Sequence, residues 1–334
     1  MSAPRISVVI PTFNRRERLG RVLAALEKQT VPPSEFEVVV VDDGSTDDTG
    51  DWLGVQAFTF SLHYVQQANA GPARARNRGI ESARGEMVLF LDDDVVPSSE
   101  LIFEHLKEHE RAGRPVVVLG TLSSLPDYAQ PWVAWEQVQV EKQYQAMERG
   151  DYAPTFRQFW TGNASVARAN LLEAGLFDVS LKRGEDVELG RRMADRGVGY
   201  VFNPRARGLH HAERSLASFC HAHSSYGEME VQMLDGLPDE GAEPVLAGNW
   251  KRLHPLQRAV LRVLLVAPAV GAATLGAIKI FLGLSLSRRL SKVARGACSL
   301  LANGLYWQAS LRTLGPERAR RVLTGSPLVR AGGV

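Results

Sequence analysis

Residues Glu37–Thr49 read EVVVVDDGSTDDT. Four consecutive valines leave no polar face, so Glu37–Asp43 predicts a strand buried on both sides, as in a sheet covered by helices. Asp42 and Asp43 end that strand and lead into a Gly-Ser turn, where Asp47 suits a helix cap. The same texture extends outward in both directions. Upstream, ISVVIP (Ile6–Pro11) predicts a strand, and Arg15–Gln29 a helix with Leu19, Val22, Leu23 and Leu26 at helical spacing. Downstream, Ser61–Gln67 predicts a weaker strand and Arg74–Ala83 a helix closed by Gly85. MVLFLDDD (Met87–Asp94) predicts a fourth, buried strand and Pro115–Leu122 a fifth. Strands alternating with helices give the α/β class: a mostly parallel, Rossmann-like central sheet with helices on both faces. From about residue 123 to 159 the pattern loosens into an aromatic and polar stretch. A helix over Glu185–Arg196 and a strand over Gly199–Pro204 complete it.

The chain has 334 residues, 45% apolar and 23% charged, which excludes disorder and favours a large α/β domain with an appendage. Cys220 and Cys298 match no zinc or redox spacing and read as free thiols of a reducing compartment. No signal peptide is expected from the N-terminal residues. The net charge of +2 hides an asymmetry: residues 251–334 hold 14 Lys and Arg against Glu317 alone. The preceding 250 residues keep 25 basic and 36 acidic groups, so a boundary is expected near residue 250.

Two further acidic clusters sit where strands of an open sheet should end, and ligands bind beyond such strand ends. Asp92-Asp93-Asp94 directly follow MVLFL. Adjacent carboxylates raise one another's pKa, and a divalent cation relieves that repulsion; oxygen ligands suit Mg²⁺ or Mn²⁺. Gly184-Glu185-Asp186 open a helix, where the dipole favours negative charge.

The order ISVVIPTFNR, VVVVDDGSTDDT, NAGPARARNRGIESARGEMVLFLDDDVVP, GNASVARANLLEAGLFD and GEDVELGRRMADRG, over about residues 5–212, resembles family 2 glycosyltransferases of the GT-A fold. The resemblance implies an inverting, hexosyl-type transfer from a nucleotide-diphosphate sugar to a glycan or lipid-linked hydroxyl acceptor. It implies a catalytic domain over residues 1–215; the charge break then sets a connecting segment over 216–250 apart from a basic, apolar helical region over 251–334. By position, Pro11, Thr12 and Asp43 match residues around the base and ribose, and Arg76 and Asn77 the basic helix near the diphosphate, with Arg74 and Arg78 as rivals of Arg76. Asp92 and Asp94 match the outer acids of the family's Asp-X-Asp signature, with Asp93 between them counted in the nucleotide-sugar set. Asp94 is implied as a metal ligand together with His210, with His211 as its rival. Asp186 matches the catalytic base and Glu185 an acceptor contact. Gly162 and Asn163 match the donor-sugar pocket, and Trp160 could stack on a sugar ring.

Val263–Ile278 carries no charge, and with Lys279 tolerated the apolar run reaches Leu286. Spanning a bilayer takes about 20 apolar residues, so the length is marginal. Arg252, Arg258 and Arg262 precede the run and Arg288, Arg289, Lys292 and Arg295 follow it, which keeps both ends on the cytoplasmic side. The expectation is a helical hairpin or in-plane helices on the anionic inner membrane face, giving a cytoplasmic, peripheral protein. The tail's apolar content argues against nucleic acid as its partner. Two rival functions remain at this level. A sugar-phosphate nucleotidyltransferase would normally carry a glycine-rich basic phosphate loop that IPTFNRRERLG lacks. A non-catalytic sugar-nucleotide-binding module would have no need of the Asp92/Asp94/Asp186 set.

Overall fold

The computed structural model describes residues 3–124, 130–181, 183–236, 241–284 and 291–324. The chain divides into two compact units, one of residues 1–126 with 139–212 and one of 127–138 with 213–334. The first unit opens with β1 (Ile6–Thr12), α1 (Arg16–Leu26), β2 (Phe36–Asp42), α2 (Thr49–Gly54), β3 (Ser61–Gln66) and α3 (Pro72–Ser82). Next come β4 (Met87–Leu91), β5 (Val95–Pro97), α4 (Leu101–Ala112) and β6 (Val116–Ser124). After α5 (Pro131–Glu148), which both units share, it closes with β7 (Asn163–Ala167), α6 (Arg168–Glu173), α7 (Glu185–Ala194) and β8 (Gly199–His210).

The described strands form one eight-stranded sheet in the order β3-β2-β1-β4-β7-β6-β8-β5. On the β3 side every pairing is parallel, as the valine runs predict. On the other side β7 runs antiparallel to both β4 and β6, and β5 antiparallel to β8. Residues one apart in a strand serve opposite faces. Thus Val38 and Val40 join Ile6, Val8 and Ile10 under α1, whose Leu19, Val22 and Leu23 point down onto them. Val39 and Val41 join Val9 and Phe90 on the other face, beneath Ala75 and Ile80 of α3. At about 1.5–3 kcal/mol for each buried aliphatic side chain, this double burial holds β2 in place, and the acids decide only where it stops.

Two stretches depart from the sequence expectation. The aromatic segment without a clear period contains α5. Its buried residues fall in separate groups, Trp132 and Val133 at the start, Tyr144 and Met147 at the end. Such a helix shows no single apolar stripe. The strand expected to stop at Pro204 runs on to His210. Residues 203–206 bulge opposite Gly120, between the pairs Leu119–Phe202 and Thr121–Arg207, so the missing proline N–H breaks no ladder bond.

A buried polar chain holds β7 to its neighbours. Asn163 Nδ2 donates to the carbonyls of Thr121 (3.0 Å) and Ala206 (2.9 Å), so its Oδ1 accepts from His105 Nε2 at 2.9 Å. That leaves His105 Nδ1 to accept from Ser165 Oγ (2.8 Å), which in turn accepts from His109 Nε2 (2.8 Å). Burial keeps both rings neutral, with pKa values pushed down to about 3 for His105 and about 4 for His109.

Among its described residues the second unit is helical: α8 (Leu216–Asp235), α9 (Ala242–Arg252), α10 (Pro255–Val266), α11 (Pro268–Leu284), α12 (Lys292–Leu314) and α13 (Pro316–Thr324). α12 lies along α8, where Ser310 Oγ donates to the Gly227 carbonyl at 3.2 Å. Trp250 of α9 meets Trp307 of α12 edge to face, 5.0 Å between centroids. Asp235 pairs with Arg318, and Glu243 with Arg321.

Candidate active site

The acids after β4 are spread over three different environments. Asp93 is buried; its Oδ2 accepts from Thr12 Oγ1 at 2.8 Å and its Oδ1 from Arg15 Nη1 at 2.9 Å. Burial outweighs the Arg15 charge and pushes Asp93 up to about 6. Asp94 Oδ1 lies 3.5 Å from His210 Nε2, and its Oδ2 lies 3.4 Å from Arg15 and 3.6 Å from Arg18. Here burial is overcome by the His210 hydrogen bond and the two arginines, so Asp94 sits below the usual carboxylate range. The ring of His210, at the end of β8, faces Asp94. His211 reaches it through its backbone N–H, which donates to the Asp94 carbonyl at 2.8 Å.

Asp92 turns the other way. Arg76, on α3 and more than nine-tenths buried, gives Nη2 to Asp92 Oδ1 at 2.9 Å and Nη1 to Glu185 Oε1 at 3.2 Å. One guanidinium thus ties the end of β4 to the start of α7. Burial pulls the Arg76 pKa down, but Asp92, Glu185 and Asp186 together hold it above the ordinary arginine value. Its Nε is buried without a hydrogen-bond partner. α7 begins after Gly184, whose φ of +74° lies in the left-handed region that suits glycine. Its first turn gathers Glu185, Asp186 and Glu188 at the positive end of the helix. Burial, then the neighbouring Glu185, pushes Asp186 up to about 7, against the pull of Arg76.

Gly162 borders the same cluster. A Cβ there would stand 3.1 Å from Asp92 Oδ2 and 3.2 Å from Leu122 Cδ1, so only glycine lets this loop touch the carboxylate undisturbed. Trp160, partly buried, meets Tyr144 edge to face at 5.9 Å. Pro11 sits beside Thr12 at the end of β1, paired with Val41.

Three residues expected at the donor spend their polar atoms inside the protein. Asp43 accepts from Gln67 Nε2 (2.7 Å) and from the backbone N–H groups of Ala70 (2.9 Å) and Gly71 (2.8 Å), which fixes the loop before α3. Asn77 clamps the backbone of Phe177 through both amide atoms, at 2.8 and 2.9 Å. Asn163 is committed to the buried histidine chain. Each of the two asparagines is a backbone clamp, its amide hydrogen-bonded within the protein. Conversely, Arg15 and Arg18 belong to the site and were not anticipated. Their one signal was the basic run Arg15-Arg16-Glu17-Arg18 at the strand end.

The model of glycosyl transferase family 2 matches residues 7–169, which span β1 through β7 and hold Arg76 and all three acids after β4. Residues 7–169 form a glycosyl transferase family 2 domain. A validoxylamine A glucosyltransferase of Streptomyces hygroscopicus subsp. limoneus is 32% identical over 232 residues, 62% of this chain and 51% of that protein. The chain spans about half the length of such curated relatives. The fold is shared with a mannosyltransferase from Pyrobaculum calidifontis solved with GDP-Man and Mn²⁺, at a TM-score of 0.61 and 22% identity, over 94% of this chain and 88% of that one. It is also shared with residues 1–349 of S. aureus TarS in complex with UDP-GlcNAc, at 0.50 and 19%, over 93% and 92%.

Family 2 proteins of the GT-A fold raise the question of a metal. Among the described residues no group of three or more His, Cys, Asp or Glu side chains is arranged to hold one. Asp94 and His210 offer one oxygen and one nitrogen that face each other. A hard cation that keeps several waters and shares substrate phosphates fits such a two-residue set.

Proposed function

We propose that the chain transfers a sugar from a nucleoside-diphosphate sugar to a hydroxyl of a glycan or lipid-linked acceptor, in one displacement that inverts the anomeric centre. The observation that supports this most is Arg76, which draws the carboxylates of a strand end and a helix start into one cluster. The solved relatives hold GDP-Man with Mn²⁺ and UDP-GlcNAc, which supports a nucleotide-sugar donor here as well.

In this reading Asp186 accepts the proton of the attacking hydroxyl. A carboxylate tuned to about 7 is well matched to that task near neutrality. Glu185, anchored by Arg76, lies beside it to meet the acceptor. Asp92 and Asp93 orient the donor from the end of β4, Gly162 leaves room next to Asp92, and Trp160 offers a ring face to the sugar. Arg15 and Arg18 place positive charge beside the departing diphosphate. Asp94 and His210 would hold a Mg²⁺ or Mn²⁺ ion, which supplies charge stabilisation to the leaving diphosphate when bound.

The test is a transfer and hydrolysis screen over a panel of nucleotide sugars with Mg²⁺ or Mn²⁺, followed by assignment of the product anomer. Inverted product supports the reading. Retained configuration would remove Asp186 from the role of base. Nucleotide binding without turnover, whatever the acceptor, would leave a sugar-nucleotide-binding module in its place.

A further inference from the structure

α10 and α11 present apolar surface on the side turned away from their own packing. Leu261 and Leu264 of α10, and Leu275 and Leu282 of α11, are buried, and Leu275 packs against Gly304 of α12. The outer side is apolar too. On α10, Leu256, Val260 and Val263 recur four and three residues apart and are all exposed, Leu256 to 69%. On α11, exposed Val270, Ala273, Ala277, Phe281 and Leu284 form one stripe, with Ile280, 66% exposed, beside it. A helix that is apolar all round belongs in a protein core or in lipid, and a bare contiguous patch marks an interaction surface.

The charges around this surface are of one sign. No acid occurs between residues 251 and 316. Exposed Arg252 precedes α10 and exposed Arg262 lies on it, Lys279 interrupts α11, and Lys292 and Arg295 open α12. Among the described residues, Lys279, Lys292 and Arg295 have no ion-pair partner, whereas Asp235 and Glu243 are taken by Arg318 and Arg321 of α13. Arg288 and Arg289 lie outside the described residues. No single described helix is long and apolar enough to cross a membrane; α10 and α11 pass that test only together, bent by 114° at their junction.

We propose that α10 and α11 form a monotopic docking surface that lies in the interface of an anionic bilayer, apolar side chains in the acyl boundary and basic side chains among the headgroups. Charge selects this occupant. A second copy of the chain would bring the same unpaired cations against each other. This proposal is independent of sugar transfer, because docking is measured without donor or acceptor.

The test uses the full chain and sedimentation with two sets of vesicles, phosphatidylcholine alone and phosphatidylcholine mixed with phosphatidylglycerol. The protein is expected to pellet with the mixed vesicles, weakly with the neutral ones, and less as salt is raised. Val263→Glu and Ile280→Glu alter exposed positions, so each is expected to keep the wild-type melting temperature while weakening vesicle binding by about tenfold or more. Failure to bind mixed vesicles, equal binding to neutral ones, or undiminished binding by both variants would overturn the proposal. A lipid-free dimer that Val263→Glu dissociates would also overturn it, and would assign the face to a second copy.

Discussion

Arg76 serves two carboxylates with one guanidinium, and its removal should be felt in the third. Without its charge, Asp186 loses one of the influences that pull its pKa down, keeping the Val187 backbone N–H, while burial and Glu185 still push it up. In Arg76→Ala the acidic limb of the rate–pH profile should therefore move to higher pH by about one unit or more, read from kcat against pH. Arg76→Lys should restore the limb only in part, because an ammonium cannot fork between Asp92 and Glu185. Asp186→Asn should lower turnover by at least about a hundredfold. Its stability should change the other way. Between the ordinary 3.8 and about 7, folded Asp186 holds a proton that the unfolded chain has released, so this group destabilises the fold progressively as pH rises. The asparagine variant should melt above wild type at pH 8, with the difference closing towards pH 4. Asp92, Asp94 and Asp186 were legible in sequence because carboxylates at strand and helix ends have few structural reasons to cluster. The backbone bonds of Asn77 and Asn163 were not legible, because an amide that clamps backbone looks, in a sequence, the same as one that meets a ligand.

At the level of elements, α3 reaches the site by lying unusually close to the sheet. A Cβ on Gly79 would overlap Val9 Cγ1 and stand 3.4 Å from Val41 Cγ2. Gly79→Val should push α3 outward and move Arg76, one turn earlier, off its partners. The expected cost is about 1–3 kcal/mol, seen as a lower urea midpoint at unchanged m, together with a loss of turnover. β1, β2 and β4 could be read directly because unbroken valine and leucine runs admit little else. α5 could not, since its apolar residues at either end serve separate cores. The continuation of β8 past Pro204 was hidden by a bulge that only a partner strand reveals, and that continuation brings His210 to Asp94.

On the scale of the whole molecule, the small net charge conceals opposed surfaces, with 14 basic residues and one acid after residue 250. Salt screens such fields, with a Debye length of about 10 Å at 0.1 M. The intact chain should be retained by both cation and anion exchangers at pH 7 and low ionic strength, and salt should elute it from each. The charge break announced the basic stretch, but not that the compact unit holding it also takes in residues 127–138 and 213–250. Nothing in the local pattern of α8 and α9 separates them from the first unit; their packing on α12 and α13 does. The sheet order has a consequence in time as well. β7 lies between β4 and β6, so a nascent chain that has not yet extended past Ala167 leaves β4 with an open edge and β6 with no neighbour. During synthesis, then, the half-made protein displays a bare strand margin that invites pairing with other chains; Asn163–Ala167 covers the β4 edge as it emerges, and β8 later covers that of β6.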